Sequence, residues 1–263
     1  GRDFAKKVLT EINDLFDSKY IHIGFDEVNY GAKAELYTDP ELLDFAKEIT
    51  TFIKDDLKKT PIVWDDLFMH GFEDKDTVVQ WWRYGKNYWW KRMPSTVDEA
   101  LNKQQQPFIF SPANWTYFDM KNIKGGWAGG ISPAEMYNWD PYADMLGVTA
   151  ETRKLALGAI ACTWSEKIPT MKVFGDRTFP RLAGFSERIW RGGKQEAPNI
   201  LGWTDYRDQV LIPLQLKRYD ALGLHYWSKD NPALLENLKD VKKPLQMTKP
   251  RKKRVTPKAA TKK

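Results

Sequence analysis

The stretch KYIHIGFDEVNYG, Lys19 to Gly31, alternates apolar residues into a glycine and then sets two carboxylates side by side, Asp26 and Glu27. Strand side chains alternate between faces. His22, Gly24 and Asp26 are therefore expected on one face, and Ile21, Ile23 and Phe25 on the other. The Ile/Phe face suits packing against helices, which turns the His/Gly/Asp face inward. Strict alternation would send Glu27 away from Asp26, so Glu27 must leave strand geometry to reach the same site. An isolated Asp-Glu pair is most often a solvated strand end. The inward face leading into this pair argues for a site.

Working outward, Phe4, Val8, Leu9, Ile12, Leu15 and Phe16 recur at helical spacing and predict an amphipathic helix over 2–17. Thr38 and Glu41 have capping-box spacing ahead of the helical face Leu42, Phe45, Ile49, Phe52, Ile53 and Leu57. Strands are predicted at 20–24, 61–67, 77–82, 107–111 and 157–164. Helices are predicted near 96–104, over 179–190 and over 204–223, the last kinked at Pro213. Residues 112–148 read as a long loop. Near-continuous apolar strands alternating with helices are the pattern of a parallel sheet covered by helices. In parallel barrels function gathers at the C-terminal ends of strands. Here each predicted strand ends in chemistry-capable residues: Asp26 with Glu27, Trp64 with Asp65, Trp82, Tyr117 with Asp119, and Trp164 with Glu166.

The 263 residues are 42% hydrophobic, ample for a core, and include 12 Trp, which can pack a core or stack on sugar faces. The single Cys, Cys162, rules out an internal disulfide and is read as an inert core thiol. No apolar run reaches the length of a membrane span, and no signal peptide is evident. The segment 249–263 holds eight Lys/Arg and no acid; without it the formal charge of +6 becomes −2. It is read as a disordered tail and not as a nucleic-acid patch, since the body carries no basic stripe. The three His residues, 22, 70 and 225, are too scattered for a metal motif, and His22 is read as a hydrogen-bonded interior residue. GGWAGG (125–130) lacks the setting of a phosphate loop and is read as an active-site loop or plain linker.

Adjacent carboxylates cannot easily flank a glycosidic bond from opposite sides, as two-carboxylate glycosidases require. They can cooperate if one transfers the proton and the other steers a substrate group, as in substrate-assisted hydrolysis.

These motifs resemble the catalytic domain of the β-N-acetylhexosaminidases, glycoside hydrolase family 20. HIGFDEV (22–28) is similar to that family's His-x-Gly-Gly-Asp-Glu signature. IVWDD (62–66), VVQWW (78–82), YFDM (117–120), CTWSE (162–166) and FPRLAGFSERIW (179–190) resemble its later elements in order. The resemblance implies an α/β fold, a (β/α)8 TIM barrel of which only the last five β/α units, strands 4–8, are present. It implies that 1–225 is the C-terminal part of that catalytic domain, with 226–248 an extension and 249–263 the basic tail. By resemblance Glu27 is the general acid and then base, Asp26 orients the acetamido group, and Tyr117 donates to its oxygen. Trp64, Trp82 and Trp164 wall the methyl pocket, and Asp119 and Glu166 bind sugar hydroxyls. No cofactor and no metal are implied.

The implied function is exo-acting removal of terminal GlcNAc or GalNAc by substrate-assisted, retaining hydrolysis. The partner is a glycan or glycoconjugate ending in β-linked N-acetylhexosamine, and the missing N-terminal part of the barrel is a second candidate partner. Neither nucleic acid nor a membrane span is expected, and the resemblance implies an exported setting. The alternatives are a non-catalytic carbohydrate-binding fragment and a two-carboxylate glycosidase with no acetamido requirement. Two departures stand out. Phe25 replaces a second Gly of the signature, and the strands that would carry a sugar-gripping Arg are missing. Arg83 is the alternative for that grip but is read as a surface residue. Trp81, Trp89, Trp90, Trp115, Trp127 and Trp139 are candidates for further sugar subsites, Trp127 and Trp139 foremost.

Overall fold

The computed structural model describes residues 1–28, 39–83, 97–123, 128–192 and 199–238. Five strands, β1 (Tyr20–His22), β2 (Thr60–Trp64), β3 (Val78–Trp81), β4 (Phe108–Phe110) and β5 (Ala156–Ala159), pair in parallel in sequence order. All five predicted strands are present, each shorter than its predicted span, with β2 and β5 beginning one residue earlier. The register sets His22 beside Ile62, Ile62 beside Val78, and Trp64 beside Gln80. Between β4 and β5 it slips by one residue, where Gly158 adopts φ +143°, a conformation that favours glycine.

The period-two pattern sorts the sheet into two faces. Val63, Val79, Trp81, Phe108 and Phe110 pack outward with Leu42, Ala46, Leu101 and Phe185. Ile62, Val78 and Ile109 cluster on the inner face. Helix α1 (Arg2–Leu15) lies against α2 (Asp39–Asp55), joined by the Lys6–Glu48 ion pair at 2.6 Å and by Arg2 to both Asp44 and Glu48. Ala5 and Leu9 of α1 reach the Ile21–Ile49–Ile53 cluster.

The region 112–148 departs from the loop expectation. It carries short helices α4 (Ala113–Thr116), α5 (Pro133–Tyr137) and α6 (Pro141–Asp144), after α3 (Asp66–Met69) on the β2 side. The sequence signal for α5 was its capping box, in which Ser132 and Glu135 exchange bonds across Pro133. Helix α7 (Ala150–Arg153) leads into β5. Helix α8 (Met171–Thr178) precedes α9 (Arg181–Arg191), and α10 (Trp203–Tyr206) opens the last long helix. That helix continues to Ala221, as the 204–223 reading expected: Arg207–Leu216 is a π-helix that contains Pro213, and α11 (Lys217–Ala221) completes it. The segment Val97–Lys103 is also π-helical. Beyond residue 226, α12 (Ala233–Glu236) buries Leu235 against Trp203 and Tyr206. The tail 249–263 lies outside the described residues, as does Thr38 of the proposed capping box.

Candidate active site

Strand β1 stops at His22, so the alternation drawn through Asp26 does not continue. The chain instead turns through left-handed conformations at Gly24 (φ +76°), Phe25 (+70°) and Glu27 (+50°). Glu27 thus leaves strand geometry, as its adjacency to Asp26 required. A glycine signature at position 25 has a physical reason here, because a bulky residue at positive φ is strained. Phe25 is held by packing outward on Phe45, ring centroids 5.8 Å apart.

Trp64, at the end of β2, and Trp164, after β5, have ring centroids 5.9 Å apart, and Trp164 meets Tyr117 edge-on at 5.6 Å. Tyr117 stacks on Trp82 at 6.2 Å. Ala113, Met120, Ala128 and Cys162 complete this apolar cluster. Four residues from distant parts of the chain therefore form one aromatic cage at the C-terminal ends of the strands. Tyr117 is fixed there because Phe118 N donates to Cys162 O (2.7 Å) and Cys162 N to Thr116 O (2.8 Å). Burial pushes the Tyr117 phenol well above its ordinary pKa, so it stays protonated and able to donate.

Asp26 and Glu27 are exposed beside this cage. Although Glu27 as a whole is accessible, partial desolvation raises its pKa, with Asp66, Asp26 and Glu166 adding to the rise and Arg83 opposing it. Asp119 is buried, and burial raises its carboxyl as well, against hydrogen bonds from its own backbone and that of Trp164. Its segment is anchored from behind by α8 and α9. Arg177 donates to Asp119 O. Arg181 donates to the carbonyls of Phe118 (2.8 Å), Met120 (2.7 Å) and Ile131 (3.3 Å). Glu166, in the 3-10 turn Ser165–Lys167, is exposed near Asp119.

Three residues stand where sequence reasoning did not put them. Arg83 is not a surface residue: it is 8% exposed and pairs with Asp65 (2.5 Å) and Asp66 (2.8 Å). It is committed to these acids, so it is not the sugar grip. One guanidinium cannot neutralise two buried carboxylates, and burial pushes Asp65 up to about 7 despite the ion pair. The signal available was WDD after one strand and an Arg directly after the next. His22 faces the inner side but is solvent-accessible. The sheet around it still holds its pKa below the ordinary value, against a hydrogen bond with Gln80 and the charge of Asp26. Its Nδ1 accepts from Gly24 N at 3.1 Å. Trp139 is not a sugar subsite: it is fully buried, stacked on Trp115 (5.9 Å), Phe110 (6.0 Å) and Phe185 (6.1 Å). Trp81 and Trp115 are core likewise. Trp89, Trp90 and Trp127 lie outside the described residues. Cys162 sits under the cage, past the end of β5, and burial pushes its thiol up to about 12, which keeps it unreactive. Among the described residues no cluster of His, Cys, Asp and Glu could hold a metal ion, and no helix is long and apolar enough to cross a membrane.

Residues 2–193 match the glycosyl hydrolase family 20 catalytic domain. The chain belongs to this family. It is 26% identical over 214 residues to a β-N-acetylhexosaminidase of Cellulomonas fimi, covering 80% of this chain and 38% of the relative. It is 30% identical over 210 residues to the β-hexosaminidase subunit beta of Sus scrofa, covering 72% and 35%. The family 20 β-N-acetylhexosaminidase of Streptomyces coelicolor A3(2) superposes with a TM-score of 0.69 at 25% identity, over 88% of this chain and 43% of that one. A Streptomyces plicatus β-hexosaminidase variant in complex with its product GlcNAc superposes at 0.66, with 25% identity, over 86% and 42%. This family 20 chain thus spans about two-fifths of the relatives it matches, and its five-stranded sheet is part of a (β/α) barrel.

Proposed function

We propose that this chain carries the cage-and-acid side of a β-N-acetylhexosaminidase that removes terminal, non-reducing GlcNAc or GalNAc with retention, the substrate's acetamido oxygen acting as nucleophile. The observation that supports this most directly is the run of ring contacts Trp64–Trp164–Tyr117–Trp82 within one apolar cluster, beside two adjacent carboxylates. A methyl group gains from an apolar cage, and a protonated Tyr117 is suited to donate to the acetamido oxygen. Asp26 orients that group and offsets the positive charge of the cyclised intermediate. Glu27, with its pKa raised, protonates the leaving oxygen and later activates water. Asp119 and Glu166 accept from ring hydroxyls.

The substrate is a glycan or glycoconjugate with a terminal β-linked N-acetylhexosamine. A second reading, a carbohydrate-binding fragment without turnover, is favoured by the one-sided pairing of β1 and β5 among the described residues and by the engagement of Arg83 with Asp65 and Asp66. Chromogenic N-acetylglucosaminide and glucoside assays, run on the chain completed by a polypeptide carrying the first three β/α units, separate the readings. Turnover of the first substrate alone, with inhibition by a thiazoline analogue of N-acetylglucosamine, supports the substrate-assisted enzyme. Equal turnover of both excludes an acetamido nucleophile. Thiazoline binding without turnover identifies the binding fragment.

A further inference from the structure

The turn after β2 places Asp66 under the site, 4% exposed. Its two oxygens receive four donors. Oδ1 accepts from Glu27 N (3.0 Å) and Arg83 Nη2 (2.8 Å). Oδ2 accepts from Trp82 Nε1 (2.8 Å) and Arg83 Nη1 (3.1 Å). Arg83 also lies over the Trp82 ring, 4.7 Å from its centroid. One carboxylate therefore ties the backbone that carries the acid to the indole that walls the cage.

We propose that Asp66 is a positioning residue for Glu27: gripped by Arg83 and Trp82, its carboxylate holds the Glu27 amide and so sets where the Glu27 carboxyl stands against the cage. The backbone around Glu27 needs such a hold. Phe25 and Glu27 are non-glycine residues in the left-handed region, and such conformations persist only where the surroundings over-determine them. His22 Nδ1 fixes one end of the turn through Gly24 N, and Asp66 fixes the other from the start of α3. An ion pair serving only to join the ends of β2 and β3 would be met by Asp65 and Arg83 alone. The bond to the Glu27 amide is the part that such a role leaves unexplained.

The charges facing Glu27 are Asp66, Asp26, Glu166 and Arg83. Removing the charge of Asp66 therefore lowers the midpoint at which Glu27 titrates, and removing that of Arg83 raises it. The proposal rests on the reading of Glu27 as the acid only for its catalytic consequence.

The test is NMR on the chain completed by a polypeptide carrying the first three β/α units, with 13C at the glutamate carboxyls of residues 1–263 and Glu27 assigned through Glu27→Gln. Asp66→Ala is expected to bring the Glu27 amide to free-loop exchange rates while the amides of β1 and β2 stay protected, whereas a purely structural role would leave the Glu27 amide as protected as theirs; through charge alone, Asp66→Asn is expected to shift the Glu27 midpoint down and Arg83→Gln to shift it up. In the unsubstituted chain the Glu27 amide is expected to exchange slowly with solvent. That measurement needs no variant to fold. A Glu27 amide exchanging at free-loop rates in that chain, one still protected in Asp66→Ala, or midpoints unmoved or moved in one direction in both charge variants, overturns the clamp. Where turnover is present, Asp66→Asn is expected to lower kcat about 10- to 100-fold on unactivated substrates. A Glu27→Gln variant with undiminished turnover would instead remove Glu27 as the acid, while the midpoints and exchange rate still decide the clamp.

Discussion

Glu27 and Asp65 carry the strongest expectations at the scale of single residues. In the species completed by the first three β/α units, Glu27→Gln is expected to lose about 10²- to 10⁴-fold in kcat/KM on substrates with poor leaving groups and much less on activated aryl glycosides, which need little protonation. Equal losses on both, measured across a leaving-group series, would move proton transfer elsewhere. Asp65 is fully buried, its Oδ2 has no hydrogen-bond partner, and its pKa is raised to about 7 from 3.8. A carboxyl whose folded pKa exceeds its unfolded value favours the fold when protonated. Its contribution is full below about pH 4 and is lost as pH rises to about 7. The melting temperature of the unsubstituted chain relative to Asp65→Asn should therefore fall across that window and level off above it. A constant difference from pH 4.5 to 8 by calorimetry would place the extra proton on another group.

Among the elements, α9 does more than cover the sheet. Arg181 is 1% exposed, lies over the Phe118 ring at 4.8 Å, and gathers the carbonyls of Phe118, Met120 and Ile131 around one guanidinium. Burial lowers its pKa to about 9. The same turn needs Gly130, where an added Cβ would stand 1.8 Å from Ile123 O. Arg181→Met keeps much of the volume but strands these buried acceptors, each worth about 1–3 kcal/mol. It is expected to destabilise the fold by about 3–5 kcal/mol in urea titrations and to weaken binding of the sugar hydroxyls through Asp119. Arg181→Lys, a point charge without the planar fork, should recover only part of this. Full stability in Arg181→Met would show that the segment around Asp119 is held by Arg177 and packing alone.

Across the whole molecule, the dominant feature is an open sheet. Among the described residues, strands β1 and β5 each pair on one side only. Along these edges Tyr20, Leu157 and Ile160 are exposed, and α1 presents Phe4, Val8, Ile12 and Leu15, with Phe4 at 72% and Leu15 at 73%. Unpaired edges beside apolar surface seek a further strand or another copy. The 1–263 chain is expected to sediment as oligomers or to aggregate, with no measurable hexosaminidase activity. A polypeptide carrying the first three β/α units, in cis or as a second chain, is expected to give a soluble, active species. A monodisperse monomer with a sharp thermal transition and ordinary turnover would contradict this.

The β/α alternation, the five strands and the residues at their ends were legible in the sequence because they are local. Period two assigns each strand residue to a face, and chemistry at a strand's C-terminal end follows from the parallel topology. For that reason Trp64, Trp82, Tyr117 and Trp164 could be picked out before their rings were seen to meet. The departures in side-chain partners are non-local. Asp66 reaches Glu27 across 39 positions, and Arg83 turns inward because the register of β2 and β3 sets WDD beside it. Trp139 enters the core because α5 packs on α9. His22 lies on the inner face as its pattern indicates, yet it is open to solvent, since burial depends on what covers a face and not on the residues that form it. Composition and periodicity encode which way a side chain points. Only the tertiary structure decides what it meets there, because partners far apart in sequence are brought together by register and by turns whose conformations no short-range pattern specifies.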